Sequence, residues 1–292
     1  MSTPVRPRHR ARAALVAGVA VLALVGPLAS ASGAQPRSTT AVEAGSPICP
    51  ASTANGRWVR YVFLQILARC PSASSTKAWT GRLANGWTRN DVAKAIDNTD
   101  ENLIKNNVVP LYQGIINRAP TAGETALWVA FIRANRQDAE LTAFLASTDR
   151  FYGQFASAPD PRVAFLTAAY NGILDRDPDP AGLAHNLAIL GSSPTVAKRL
   201  KVLQGLEYSP ENASGWVQAV YFAGLNRPGD PAGIRFWINW LQGPGKWHTF
   251  SMWTQFLSSA EAYKLAQTQP NPPSETAQAD QHAQVTRSLH LR

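Results

Sequence analysis

The side chains able to do chemistry are few and scattered. Beyond residue 34 the histidines are His185, His248, His282 and His290, and none has a second ligand at helical or hairpin spacing. No Gly-x-Ser-x-Gly, His-Glu-x-x-His, Gly-x-Gly-x-x-Gly or phosphate-loop pattern occurs. Carboxylates are the remaining option. Glu124, Glu140, Glu207 and Glu261 are candidates for the facing acid and base of a glycan hydrolase, whose geometry spacing alone does not supply. Asp175, Asp177 and Asp179 have the alternating spacing of a calcium loop. Pro180 and Asn186, however, stand where such a loop needs glycine and glutamate. Asp179 before Pro180 reads more simply as a helix cap. The expectation is therefore a chain with no catalytic residue, no metal and no cofactor, with a polysaccharide hydrolase as the enzymatic alternative.

The more regular chemistry is ionic. Four arginines, Arg69, Arg118, Arg176 and Arg227, each follow an aromatic residue by six positions: Phe63, Tyr112, Tyr170 and Tyr221. Ten residues after each arginine stand Trp79, Trp128, Asn186 and Trp237. An acid follows further on, at Asp100, Asp149, Glu207 and Glu261, 31, 31, 31 and 34 residues after its arginine. Guanidinium forks onto carboxylate, so the spacing predicts internal salt bridges Arg69–Asp100, Arg118–Asp149, Arg176–Glu207 and Arg227–Glu261. The competing reading is four arginines lining one ligand face. If buried, each pair would cost about 3–5 kcal/mol to break from one side.

The elements that position these residues are helical. In the last unit Val217, Val220, Tyr221, Gly224 and Leu225 recur at helical spacing. Asp230-Pro231 caps a second helix striped by Ile234, Trp237, Ile238 and Leu241. Gly243-Pro244-Gly245 ends it, and Phe250, Trp253, Phe256 and Leu257 mark a third. Asp179-Pro180, Leu183-Leu187-Leu190 and Gly191 repeat the pattern one unit earlier. The fold class is thus all-α: tandem units of about three short helices sharing a core, since one unit cannot bury its own face. The units are placed at 56–107, 108–157, 158–213 and 214–267. A flexible leader (35–55) precedes them and a Pro/Gln/Ser/Thr-rich tail (268–292) follows, where disorder is expected.

Charge points to compartment rather than to partners. The formal charge is +9, from 28 Lys and Arg against 19 acids. Four of the basic residues, Arg6, Arg8, Arg10 and Arg12, fall in residues 1–34, where no acid stands, so the remainder carries 24 against 19, or +5. They precede the apolar run Ala13–Val25, the break Gly26-Pro27 and the small residues Ala29–Ala34. That order is a secretory signal peptide, with cleavage after Ala34 or Ala31. A secreted, extracellular product is expected, with no membrane span once the signal is removed and no nucleic-acid partner, because no basic cluster follows. Export permits a disulfide between the two cysteines, Cys49 and Cys70; free thiols are the alternative. Zinc is not expected from two cysteines alone.

At Tyr221, Asn226-Arg227-Pro228-Gly229-Asp230-Pro231-Ala232-Gly233, Trp237 and Phe256-Leu257-Ser258-Ser259-Ala260-Glu261-Ala262-Tyr263, the sequence resembles the bacterial domain-of-unknown-function family 4214. Arg176 to Gly182 and Glu207-Tyr208 carry the same resemblance, with Asn186 where the family has tryptophan. It covers 169–266 most closely and extends over 58–266. The resemblance implies a helical module of secreted or surface proteins and supplies no catalytic residue.

A binding role rests on aromatics. Residues 210–265 hold 11 of the chain's 26. Phe236, Trp240 and Trp247 do not fit the internal stripes, and exposed together they would form a platform for an extracellular glycan or an envelope protein. A thicker core is the alternative. The expected job is recognition or assembly at or outside the cell envelope.

Overall fold

The computed structural model describes Cys49 and residues 51–268. Residues 1–34, where a signal peptide is expected, the expected leader apart from Cys49 and residues 51–55, and the expected tail beyond Thr268 lie outside the described residues. Among those described, the secondary structure is helical and no strand occurs. Unit one holds α1 (Ala54–Leu67), α2 (Ala73–Ala84) and α3 (Arg89–Asp97). A π-helical stretch, Glu101–Val108, joins units one and two and runs into α4 (Val109–Ile116), followed by α5 (Ala122–Asn135) and α6 (Ala139–Ser147). The short α7 (Asp149–Tyr152) and a 3₁₀ turn lead to unit three: α8 (Pro161–Leu174), α9 (Pro180–Leu190) and α10 (Val196–Glu207). Unit four holds α11 (Pro210–Leu225), α12 (Pro231–Gln242) and α13 (Thr249–Ser258), and α14 (Ala260–Thr268) ends the described chain.

Local chemistry sets these boundaries. Each second helix starts three residues after its unit's arginine, at a side-chain cap: Ser72, Thr121, Asp179 or Asp230. Each first helix ends on a left-handed residue just before that arginine: Ala68, Asn117, Asp175 or Asn226. Asn and Asp tolerate that conformation because their side chains bond locally. The turn it makes points the next side chain, the arginine, back across its own helix.

The order of packing differs from a simple stack of neighbours. The third helices pair as α6 with α10 and as α3 with α13, so units two and three share one core and units one and four share another. Unit one therefore meets the unit most distant from it in sequence. The indole of Trp58 donates to the Leu257 carbonyl at 2.9 Å, and the Tyr61 hydroxyl to that of Gly224 at 2.5 Å. Arg57 donates to Gln267 at 2.8 Å, which holds the two ends of the described chain together. The two pairs are built alike. Arg199 donates to the Ser147 carbonyl with its guanidinium over Tyr152, while Arg89 donates to that of Ser258 and lies over Tyr263. A closed ring buries faces that an open stack would leave bare at both ends.

The second helices form the outer layer. No residue of α2 is buried, and Leu241 alone is buried in α12. Cys49 is bridged to Cys70, with Cα atoms 5.5 Å apart, and the Arg60 guanidinium donates to the Cys49 carbonyl. The bridge pins the start of the described chain to the turn after α1.

Candidate recognition face and the junction of the four units

The four repeated arginines have one geometry. Each guanidinium lies over the ring six residues before it: Arg69 on Phe63 at 5.3 Å, Arg118 on Tyr112 at 4.9 Å, Arg176 on Tyr170 at 5.1 Å and Arg227 on Tyr221 at 5.0 Å. Each also donates to the carbonyl of the next residue, at 3.0–3.1 Å. The residue ten positions on completes the bracket. Trp128 donates from its indole to the Tyr112 hydroxyl at 3.0 Å, and Asn186 donates to that of Tyr170 at the same distance. Asn186 thus supplies the N–H that Trp128 supplies in unit two, whereas Phe63 of unit one has no hydroxyl to accept one. The arginines clamp the turn between first and second helices.

Their acidic partners differ from expectation in three units. Arg227 pairs with Glu261 at 2.5 Å. Arg69 pairs with Glu101, at 2.6 Å, and not with Asp100, which takes Arg133. Arg176 pairs with Glu211 at 2.6 Å and not with Glu207. Arg118 pairs with Glu124 at 2.5 Å, while Asp149 is bound by the buried Arg199. The reason is register. Thr99, Thr148, Ser209 and Ser259 each accept a hydrogen bond from the backbone N–H three residues on, and the acid that meets the arginine lies two residues after this cap. That position holds Glu101, Glu211 and Glu261. In unit two it holds Arg150, so Arg118 turns to Glu124, whose carboxyl falls to about 2 through that bond and those from Thr121.

The outward aromatic residues lie mainly on α12. Phe236 is 59% exposed, its ring 5.2 Å from Trp237, and Trp237 in turn lies 5.6 Å from Trp240. Trp240 also covers the turn at Gly245, where any Cβ would strike its ring. Trp247 does not join this row. It takes a left-handed backbone (φ 59°) and packs edge-on against Tyr208 at 5.4 Å. The equivalent position to Phe236 in unit two, the residue before Trp128, is Leu127, 61% exposed, with Phe131 and Phe144 packed around Trp128.

Tyr208 belongs to a polar junction where all four units meet, and spacing had not singled it out. Unit one brings Asp97, which Arg136 of unit two binds. The Arg136 carbonyl accepts from the Phe250 N–H of unit four at 2.9 Å. Unit three brings Gln204 and Tyr208, which donate to Glu140 at 2.7 and 3.0 Å. Glu207 lies beside them, 5% exposed, its carboxylate receiving a bond from Asn212 at 3.2 Å. Burial, with the charge of Asp138 next, pushes the Glu207 carboxyl up to about 8. Burial raises Asp97 and Asp138 to about 6, against the pull of Arg136 on Asp97. Of the four hydrolase candidates, Glu124 and Glu261 are bound to arginines on the outside, and only Glu140 and Glu207 are brought together. Asp179 caps α9 and pairs with Arg176, and Asp177 accepts from Asn171.

Residues 142–216 match the model of the family described as Domain of unknown function (DUF4214). The matched segment runs from within α6 through unit three into α11. No curated protein and no solved structure matches the chain. No helix among the described residues is long and apolar enough to cross a membrane.

Proposed function

We propose that this chain is an exported, non-catalytic recognition module that holds an envelope glycan against the outer face of α12. The observation that carries this reading is Phe236, 59% exposed on α12, with the half-buried Trp237 and Trp240 packed beside it. Aromatic rings left in water cost hydration free energy, and sugar rings or partner side chains recover it by stacking. The repeated arginines are engaged with their own units and do not compete for this role. The order of charged, apolar and small residues in 1–34 supports export. A hydrolase reading is favoured only by the meeting of Glu140 and Glu207. Both carboxylates are occupied by side chains of the junction, and Glu207 is sealed from solvent.

The test is co-sedimentation of the mature protein with purified insoluble cell wall. Wild type should pellet with the wall, and a Phe236→Ser protein with unchanged melting should stay in solution. Equal sedimentation of both, or of neither, would overturn the reading. Binding of wild type to a proteinaceous fraction alone would replace glycan with an envelope protein at the same face.

A further inference from the structure

We propose that the junction of the four units is a proton-operated seam, closed while Glu207 holds its proton and loosened when the proton leaves. The argument begins with two equivalent positions that are neutralised differently. Asp97 ends α3 and Glu207 ends α10, each five residues before an asparagine that donates both to its main-chain carbonyl and to its carboxylate: Asn102 to Asp97, Asn212 to Glu207. Across from Asp97, the loop before α6 presents Arg136. Across from unit three's end, the corresponding loop before α13 presents Trp247 against Tyr208. Among the described residues, one buried acid has a guanidinium and the other has none.

The groups facing Glu207 reinforce this. From the loop before α6 and from α6 itself come Asp138 and Glu140, both acids. From its own turn comes Tyr208, and from α11 the neutral Asn212. Arg136 is spent on Asp97. His248, at the start of α13, is held toward its neutral form by burial and by Lys246 and Arg136. Among the described residues no cation meets a second negative charge here, so the closed seam requires a neutral Glu207. When the proton leaves, repulsion from Asp138 and Glu140 falls on the contacts joining the units: the Gln137–Tyr208 and Tyr208–Glu140 bonds and the Trp247–Tyr208 packing. The loop that would move is continuous with α12, so the pH outside the cell would bear on how firmly the outer face is held.

The sign follows from linkage. The opened state returns Glu207 to water and an ordinary carboxyl pKa, so the closed state binds the extra proton. Opening therefore becomes easier as pH rises, by up to tenfold per unit, and levels off above about 8. Hydrogen exchange on the full mature chain between pH 6.5 and 8.5, read as protection factors at 206–212 and 246–250, measures this directly. Wild type should lose up to tenfold protection per pH unit, and Glu207→Gln, which keeps the neutral shape, should lose none over that range. Asp138→Asn should bring the levelling-off to lower pH. Constant protection in wild type, the same fall in Glu207→Gln, or no displacement in Asp138→Asn would overturn the proposal.

Discussion

Two arginines that look alike in sequence should differ sharply in what they hold. Arg227 stacks on Tyr221, donates to Pro228 and forks onto Glu261, but the pair is open to water, with side chains 38% and 44% exposed. An exposed ion pair contributes about 0.2–1 kcal/mol and an exposed cation–ring contact about 0.5–1 kcal/mol. The loop hydrogen bond adds about 1 kcal/mol. One side chain makes all three contacts, so they overlap, and Arg227→Ala should cost about 1–2 kcal/mol. Arg136 and Asp97 are different, with side chains 15% and 3% exposed. Arg136→Ala strands a carboxylate in the junction, and one-sided removal from a buried pair costs about 3–5 kcal/mol. Burial already lifts Asp97 to about 6 despite Arg136, so without the arginine it holds its proton more tightly still. The penalty should be full near pH 7.5 and shrink by pH 5, where Asp97 is neutral. Urea unfolding of both variants at the two pH values is the assay. Equal losses for Arg227→Ala and Arg136→Ala, or an Arg136→Ala loss that ignores pH, would refute the distinction between bracket and junction.

Other consequences are as direct. The Cys49–Cys70 bridge spans 21 residues, so Cys49→Ser/Cys70→Ser should lower stability by about 3 kcal/mol in the chain-entropy estimate, measured by urea unfolding with and without reductant. Gly233 lies under the Tyr221 hydroxyl, where a Cβ would clash. Gly233→Ala should therefore cost about 1–3 kcal/mol, and Tyr221→Phe in the same protein should return part of it, a coupling that a double-mutant cycle detects. Glu124 is held down to about 2, so its contribution is complete above the ordinary carboxyl pKa and is lost as pH falls through that lower value. Acid unfolding of Glu124→Gln should therefore be less steep than that of wild type between pH 4.5 and 2.

Local chemistry was legible in the sequence, and ring closure was not. The aromatic, arginine and tryptophan spacings all lie within one helix–turn–helix, where dihedral preferences and caps decide the geometry, so the brackets could be read from spacing. The acids lie across a whole unit, and counting from the arginine lands on Asp100 and Glu207. Counting from the capping Thr99 or Ser209 lands on Glu101 and Glu211, because the cap fixes where the next helix begins. Arg150 shows that unit two breaks this rule, and its partner switch to Glu124 could have been suspected from the Thr121-x-x-Glu124 capping pattern. The pairing of unit one with unit four depends on contacts nearly 200 residues apart, such as Trp58 with Leu257, which no local pattern encodes. Trp247 was grouped with the outward aromatics because it misses the helical stripe, but a left-handed backbone turns it inward onto Tyr208. The junction acids come from three units, Asp97 from unit one, Asp138 and Glu140 from unit two and Glu207 from unit three, so no single spacing links them.

The central claim is that the repeated arginines serve the fold and the outer face of α12 serves recognition. Cell-wall co-sedimentation of Arg227→Ala beside Phe236→Ser, with melting recorded for both, separates the two roles in one measurement. The account predicts that the arginine variant melts lower and still binds, whereas the aromatic variant melts as wild type and does not. An arginine variant that folds normally and loses binding, with an aromatic variant that retains it, would contradict the account.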